Sequence, residues 1–286
     1  MNSSGATTGF GLISAASWGG SDFLGGMGAR RAPVLLVVAS GHLVSLLILL
    51  AVCLGTHQAL PGRHDVVFAA VGGFEGAVAL AIFYRALAMG AMGLTAALTG
   101  LLTALAPVLF SLLHDGLPAP LTASGLGLGL AAVWLITHSP NAKDAREKQA
   151  STPPVALLLG ALAGLGFGTQ LILFKFAAGG SLLWVMTSAR GAGVSAMVLV
   201  LLAMPPKAPW RGFWLYGTLA GALDTAGNLF YIQTTRLGRL DIAAVVCSLY
   251  PAGTILLAAM VLREWPSARQ FAGMGLALAA VVLLSV

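Results

Sequence analysis

Apolar residues run through this chain in long unbroken blocks, separated by short clusters of polar and basic residues. The blocks fall at Thr8 to Met27, Pro33 to Leu54, Val66 to Ala88, Gly93 to Leu113, Leu121 to Thr137, Val155 to Ala177, Ser181 to Ala203, Gly212 to Thr235, Ile242 to Leu262 and Phe271 to Ser285. Their lengths suit the hydrocarbon core of a bilayer, which takes about 20 residues of helix to cross. In that medium every backbone N–H and C=O must be satisfied within the segment or by a closed barrel. Barrel strands alternate apolar and polar residues, and these blocks do not. The pattern therefore predicts an all-α polytopic membrane protein with ten transmembrane helices.

The second half repeats the first at an offset of about 148 positions. Gly90 falls on Gly238, Gly125 on Gly273, His42 on Arg190, Trp18 near Phe167, and Glu75 within one position of Asp224. Five helices per half is an odd number, so the second half must enter the membrane from the opposite side. Two inverted five-helix repeats around a central cavity are expected, residues 1–138 and 155–286. The polar stretch 139–154 joins them, with Lys143, Asp144, Arg146, Glu147 and Lys148 closed by Pro153 and Pro154.

Composition agrees with the pattern: 58% of residues are hydrophobic, 8% are charged, and the mean hydropathy is +0.92. A soluble domain carries about a quarter of its residues as charges. The net charge of +6 comes from basic residues scattered through short loops, which read as topology signals and form no nucleic-acid face. Cys53 and Cys247 offer neither a disulfide framework nor metal spacing, so no metal or cofactor is expected. The first block lacks a basic leader and carries Asp22, so no cleaved signal is expected there. Glycine recurs at four-residue spacing, as in Gly72 and Gly76 or Gly217 and Gly221, which lets helix backbones approach closely. Pro107 and Pro251, inside the fourth and ninth blocks, are hinge candidates.

Charges inside apolar blocks carry the most functional information, because each must face protein or water. They are Asp22, Glu75, Lys175, Arg190 and Asp224. Glu75 and Asp224, nearly matched between the halves, are the leading candidates for lining a cavity. The alternative for each is a packing role, paired with Arg190, Lys175 or His42, and Arg190 itself reads as an arginine snorkelling from a helix end. Trp18, His42, Tyr84, Gln170, Asn228, Tyr231 and Tyr250 supply hydrogen-bonding groups and flat apolar walls around them. With Asp22, Glu75 and Asp224 they form the expected binding set for a small solute that bears an amine, a carboxylate and a ring.

Several short motifs resemble those of a known family. Trp18-Gly19 opens the first block, and Phe83-Tyr84-Arg85-Ala86-Leu87 followed by Gly90 closes the third. Phe230-Tyr231 before Gly238, and Leu249-Tyr250-Pro251 before Glu264, occupy the second half. Together they are similar to the drug/metabolite transporter superfamily, EamA type, and within it to the YddG-like bacterial aromatic amino acid exporters. The resemblance implies a multi-pass protein of the cell inner (plasma) membrane that exports amino acids, aromatic ones first, and related metabolites by alternating access. Its partners would be a small-molecule substrate and the lipid bilayer, with no nucleic acid, and two fused repeats suffice for a monomeric carrier. His42 departs from the family, whose first repeat often carries arginine there. The resemblance implies a cytoplasmic amino terminus, whereas the distribution of Lys and Arg favours the opposite orientation. A lipophilic-cation or multidrug exporter of the same fold is the alternative, since carboxylates beside aromatic walls also suit a cation. No Walker-type loop is present to bind ATP. Nor is there a Gly-x-Gly-Asp, His-Glu-x-x-His or Gly-x-Ser-x-Gly motif, so an enzyme is not expected.

Overall fold

The structure, a computed structural model, describes residues 3–29, 31–87, 92–137, 153–205, 212–262 and 267–285. These residues are helical throughout their regular structure, with no strand among them. In chain order the helices are α1 (Ser3–Ala29), α2 (Val34–Gly55), α3 (Arg63–Leu87), α4 (Met92–His114), α5 (Pro120–Thr137) and α6 (Pro154–Phe176). There follow α7 (Leu182–Ala203), α8 (Phe213–Leu237), α9 (Leu240–Cys247), α10 (Tyr250–Leu257) and α11 (Ala268–Ser285). The expected connecting stretch up to Thr152, together with Gly90 and Glu264, lies outside the described residues.

Local chemistry sets several boundaries. α6 begins at Pro154, whose missing N–H is harmless in a first turn, and Pro153 before it is extended. Gly212 precedes α8 with φ of 75°, a left-handed conformation that glycine adopts without strain. The block Ile242 to Leu262, read from sequence as one helix, is instead interrupted at Ser248 and Leu249. Pro251 has no N–H to offer the preceding turn and sits in the first turn of α10, where that lack is tolerated. Around the break the bonds tighten: Leu249 N donates to Val246 O at 3.3 Å and Ala252 N to Leu249 O at 3.0 Å. α10 then runs into a π turn over Ala258–Leu262. Pro107, by contrast, lies inside an uninterrupted α4.

Five segments are long and apolar enough to cross a membrane: Val34–Gly55, Arg63–Phe83, Pro154–Gly179, Leu182–Ala203 and Leu240–Val261. Leu98–His114, Pro120–Ile136 and Ala268–Leu284 are shorter apolar helices. Large apolar side chains point outward along them, Leu113 at 89% and Leu202 at 77% exposure among others. Surfaces of this kind are stable against lipid tails. The protein is a multi-pass membrane protein.

Packing is dominated by contacts between the two halves. α1 lies on α8 and α3 on α6; α2 lies on α8 and α3 on α7; α4 lies on α6 and α1 on α9 and α10. Three further pairs close the body: α2 with α7, α4 with α9, and α5 with α11. Small residues set the closest approaches. A Cβ at Gly221 of α8 would overlap the backbone of Gly41 in α2, and one at Gly73 of α3 would overlap Ala189 in α7. At one end of the bundle, basic side chains cap carbonyls of neighbouring elements. Lys175 Nζ donates to Thr235 O and Arg236 Nε to Ala178 O, both at 2.5 Å, and Arg239 Nη2 donates to Gly116 O at 3.0 Å.

Candidate functional site

A cavity of about 80 Å³ lies between the halves. Trp18 and Asp22 of α1, His42 of α2, and Gly76, Leu80 and Phe83 of α3 form one part of its wall. Thr103 of α4, Phe167, Gln170 and Leu171 of α6, Arg190 of α7, Asp224 and Asn228 of α8 and Tyr250 of α10 form the rest. Its centre is a charged cluster. Arg190, only 4% exposed, donates through Nη2 to Asp224 Oδ2 and through Nη1 to His42 Nε2, the latter at 3.2 Å. His42 Nδ1 lies 3.1 Å from Val38 O. Nε2 must accept from a guanidinium, so the ring proton sits on Nδ1 and is donated to Val38. Asn228 Nδ2 donates to Asp224 O at 2.7 Å and to its Oδ1 at 3.2 Å. Both carboxylate oxygens of Asp224 are thereby engaged.

Two groups in this wall are left open. Arg190 Nε has no hydrogen-bond partner among the described residues. Asp22 likewise has neither a hydrogen bond nor an ion pair among them, and it faces Asp224 and the Tyr250 hydroxyl. A burial without a partner is costly for an ionised side chain.

Glycine seats three of the cavity side chains. A Cβ at Gly193 would overlap the His42 ring, one at Gly76 would overlap the Gln170 amide, and one at Gly227 would come within 2.5 Å of Trp18 Cδ1. Trp18 is further held by rings. It lies 5.9 Å from Tyr231 at a 32° tilt and 6.3 Å from Tyr250 edge-on, distances at which aromatic pairs attract. Phe83 and Phe167 meet edge-on at 6.0 Å on the lining. A second, smaller chamber of about 40 Å³ adjoins the first between α1, α2 and α8 and shares Asp22, His42, Leu80 and Asp224 with it.

Residues 154–286 match the EamA-like transporter family. That segment is thus similar to an EamA-like transporter domain. The family is one of membrane transporters for small molecules, which are not enzymes in general. No curated protein matches the chain. Among 26 matching solved chains, a crystal structure described only as that of a protein aligns over 98% of this chain and 98% of its own, with a TM-score of 0.76 and 18% identity. At that identity the likeness is one of fold, and it extends through the first half as well as the EamA-like domain.

The EamA-like domain supplies Phe167, Gln170, Leu171, Arg190, Asp224, Asn228 and Tyr250 to the cavity, and the first half supplies the rest. Of the side chains expected from sequence, Trp18, Asp22, His42, Gln170, Asp224, Asn228 and Tyr250 stand on its lining. Tyr231 does not: it is fully buried behind Trp18, and its hydroxyl donates to Leu171 O at 2.8 Å. Glu75 is also off the lining, partly buried on α3 beside Gly166 of α6. The side chain of Tyr84 lies outside the described residues. Arg190, read from sequence as snorkelling, is instead at the centre of the cluster. Phe83, Phe167 and Thr103 carried no sequence signal for the cavity beyond ordinary apolar or small-polar character. Cys53 and Cys247 are buried and unbonded to one another.

Proposed function

We propose that this protein is an inner-membrane exporter of amino acids, aromatic ones first, and related small metabolites, working by alternating access. The observation that carries this reading is the composition of one cavity wall. It sets an unpaired carboxylate, Asp22, and the guanidinium of Arg190 beside Trp18, Phe83, Phe167 and Tyr250. A zwitterion with an aromatic side chain offers a cation, an anion and a ring, and each has a complement here. A lipophilic cation would use Asp22 and the rings but would leave the Arg190 guanidinium without a role.

Ten spans in two inverted repeats are part of the same proposal. Its support is that the helix contacts come in matched sets. Exchanging α1–α5 with α6–α11 in order turns α1 on α8 into α6 on α3, and α4 on α6 into α9 and α10 on α1; α2 on α7 and α5 on α11 map onto themselves. At about 80 Å³ the cavity is smaller than the ~150 Å³ void that holds a benzene, so an amino acid needs a wider space than this one.

Uptake of labelled tryptophan, phenylalanine and threonine into liposomes holding the purified protein tests the reading. Saturable tryptophan flux that unlabelled aromatic amino acids compete away is the expected result. Saturable tetraphenylphosphonium flux with no amino acid flux would overturn it in favour of a cation exporter.

A further inference from the structure

We infer that Gln170 chooses among substrates: its amide takes a hydrogen bond from a polar group at the far edge of the substrate's ring, an indole N–H or a phenol O–H, so that tryptophan and tyrosine are preferred to phenylalanine. This rests on the amino acid reading above and adds the residue that discriminates between its cargoes. At the offset of 148 that separates His42 from Arg190, Asp22 matches Gln170, Asp224 matches Gly76 and Asn228 matches Leu80. All six line the cavity. One wall, α1 on α8, thus carries two carboxyls and the Asn228 amide bonded to Asp224. The matching wall, α3 on α6, carries Gln170, a bare backbone position and a leucine. α2 and α7 join the two walls through His42 and Arg190. A cavity with one acidic and one neutral wall orients a zwitterion. Its ammonium group lies against α1, where an anion meets it, and its side chain points to α3 and α6.

The neutral wall is shaped for a ring with one polar edge. Phe83 and Phe167 meet edge-on there at 6.0 Å, and Gln170 stands one helical turn after Phe167 on α6. Gly76, Leu80 and Phe83 follow at spacings of four and three on α3, so they share the face that meets these side chains. Among the described residues no hydrogen bond holds the Gln170 amide, and neither its oxygen nor its nitrogen is sealed in. Thr103, the other polar side chain near this wall, has already committed its hydroxyl hydrogen to Thr99 O at 2.9 Å. A ring laid on Phe83 and Phe167 brings its edge to the amide, where Gln170 Oε1 accepts from an N–H or O–H. Phenylalanine would strip water from the amide and return no hydrogen bond, a loss that a partnered ring avoids. Gly76 makes room for the amide, since a Cβ there would overlap it.

The test is a ratio of half-saturation constants for labelled tyrosine and phenylalanine, which differ by one hydroxyl, with tryptophan alongside, in liposomes holding the purified full-length protein. Wild type is expected to half-saturate at about tenfold lower tyrosine or tryptophan than phenylalanine, with similar maximal rates. Gln170→Met keeps the length of the side chain and removes its hydrogen bonding. It is expected to weaken tyrosine and tryptophan about tenfold while leaving phenylalanine and the maximal rates unchanged. Gly76→Ala displaces the amide without removing it, and is expected to move the ratio in the same direction; it carries the test if Gln170→Met does not fold. Wild-type protein that takes all three equally, or a tyrosine-to-phenylalanine ratio unchanged in the folded variants, would overturn the role of Gln170 and leave the transport reading standing. Wild-type protein with no saturable flux of any of the three would overturn both.

Discussion

His42 Nε2 meets Arg190 Nη1 at 3.2 Å although the two residues are 148 positions apart, the same spacing at which the two halves of the sequence align. In the inverted-repeat reading these are one position seen twice, and their contact puts both on the pseudo-two-fold axis. Two arginines there would set two guanidiniums against each other in a buried site. A histidine supplies an acceptor instead. His42→Arg is therefore expected to lower Tm far more than His42→Gln, which keeps a hydrogen-bonding side chain. Equal Tm values for the two variants, read by thermal unfolding in detergent, would remove this explanation.

Asp224→Asn leaves Arg190 almost fully buried with no anion beside it. Breaking a buried pair in this way destabilises by about 3–5 kcal/mol. A large fall in Tm is expected, together with lost transport, and the double variant Arg190→Met with Asp224→Leu should recover much of the stability but none of the flux. An unchanged Tm for Asp224→Asn would show that the pair is not stabilising.

Glu75 stands off the cavity, so Glu75→Gln is expected to keep saturable flux at near wild-type half-saturation. A loss of flux at normal expression would bring Glu75 back into the mechanism.

Gly227→Ala places a methyl group where the Trp18 indole lies. Overpacking of this kind costs about 1–3 kcal/mol. Raised half-saturation for tryptophan with a smaller change for threonine is expected, because the displaced group is a ring-binding one. An equal effect on both substrates would point to general damage.

Tyr231→Phe removes a buried hydroxyl and leaves Leu171 O without its donor. About 1–3 kcal/mol of stability should be lost, visible as a lower Tm, with half-saturation for tryptophan unchanged. A selective loss of affinity would move Tyr231 from the packing behind Trp18 into the binding wall.

The helices were legible because apolar runs in a bilayer have one stable backbone answer, and among the described residues each expected block but Ile242 to Leu262 falls on one unbroken helix. Asp22 and Asp224 were legible because a carboxyl in such a run needs a reason. Glu75 falls off the lining by a single position. At an offset of 148 the residue that matches Asp224 is Gly76 (224 − 148 = 76), and Gly76 does line the cavity. One residue is about 100° around a helix, enough to carry Glu75 off that face. Arg190 was misjudged for a different reason: snorkelling is an expectation about one helix, while its surroundings are made by α2 and α8, which only the fold brings across α7. Phe83 and Phe167 look like any lipid-facing phenylalanine until the tertiary packing assigns them a side. The break at Ser248 and Leu249 was foreshadowed by Pro251, but sequence could not say whether a proline would divide a helix, and Pro107 does not divide α4.

Gly193 and Gly227 make the pocket's outline depend on missing side chains as much as on present ones. Each stands behind a ring whose position it permits. A carrier built this way can have its cargo range retuned without touching any residue that contacts the cargo: a methyl group added from behind pushes a lining side chain inward and narrows the space. Selectivity is then set from the outer layer, by mutations that look like packing changes.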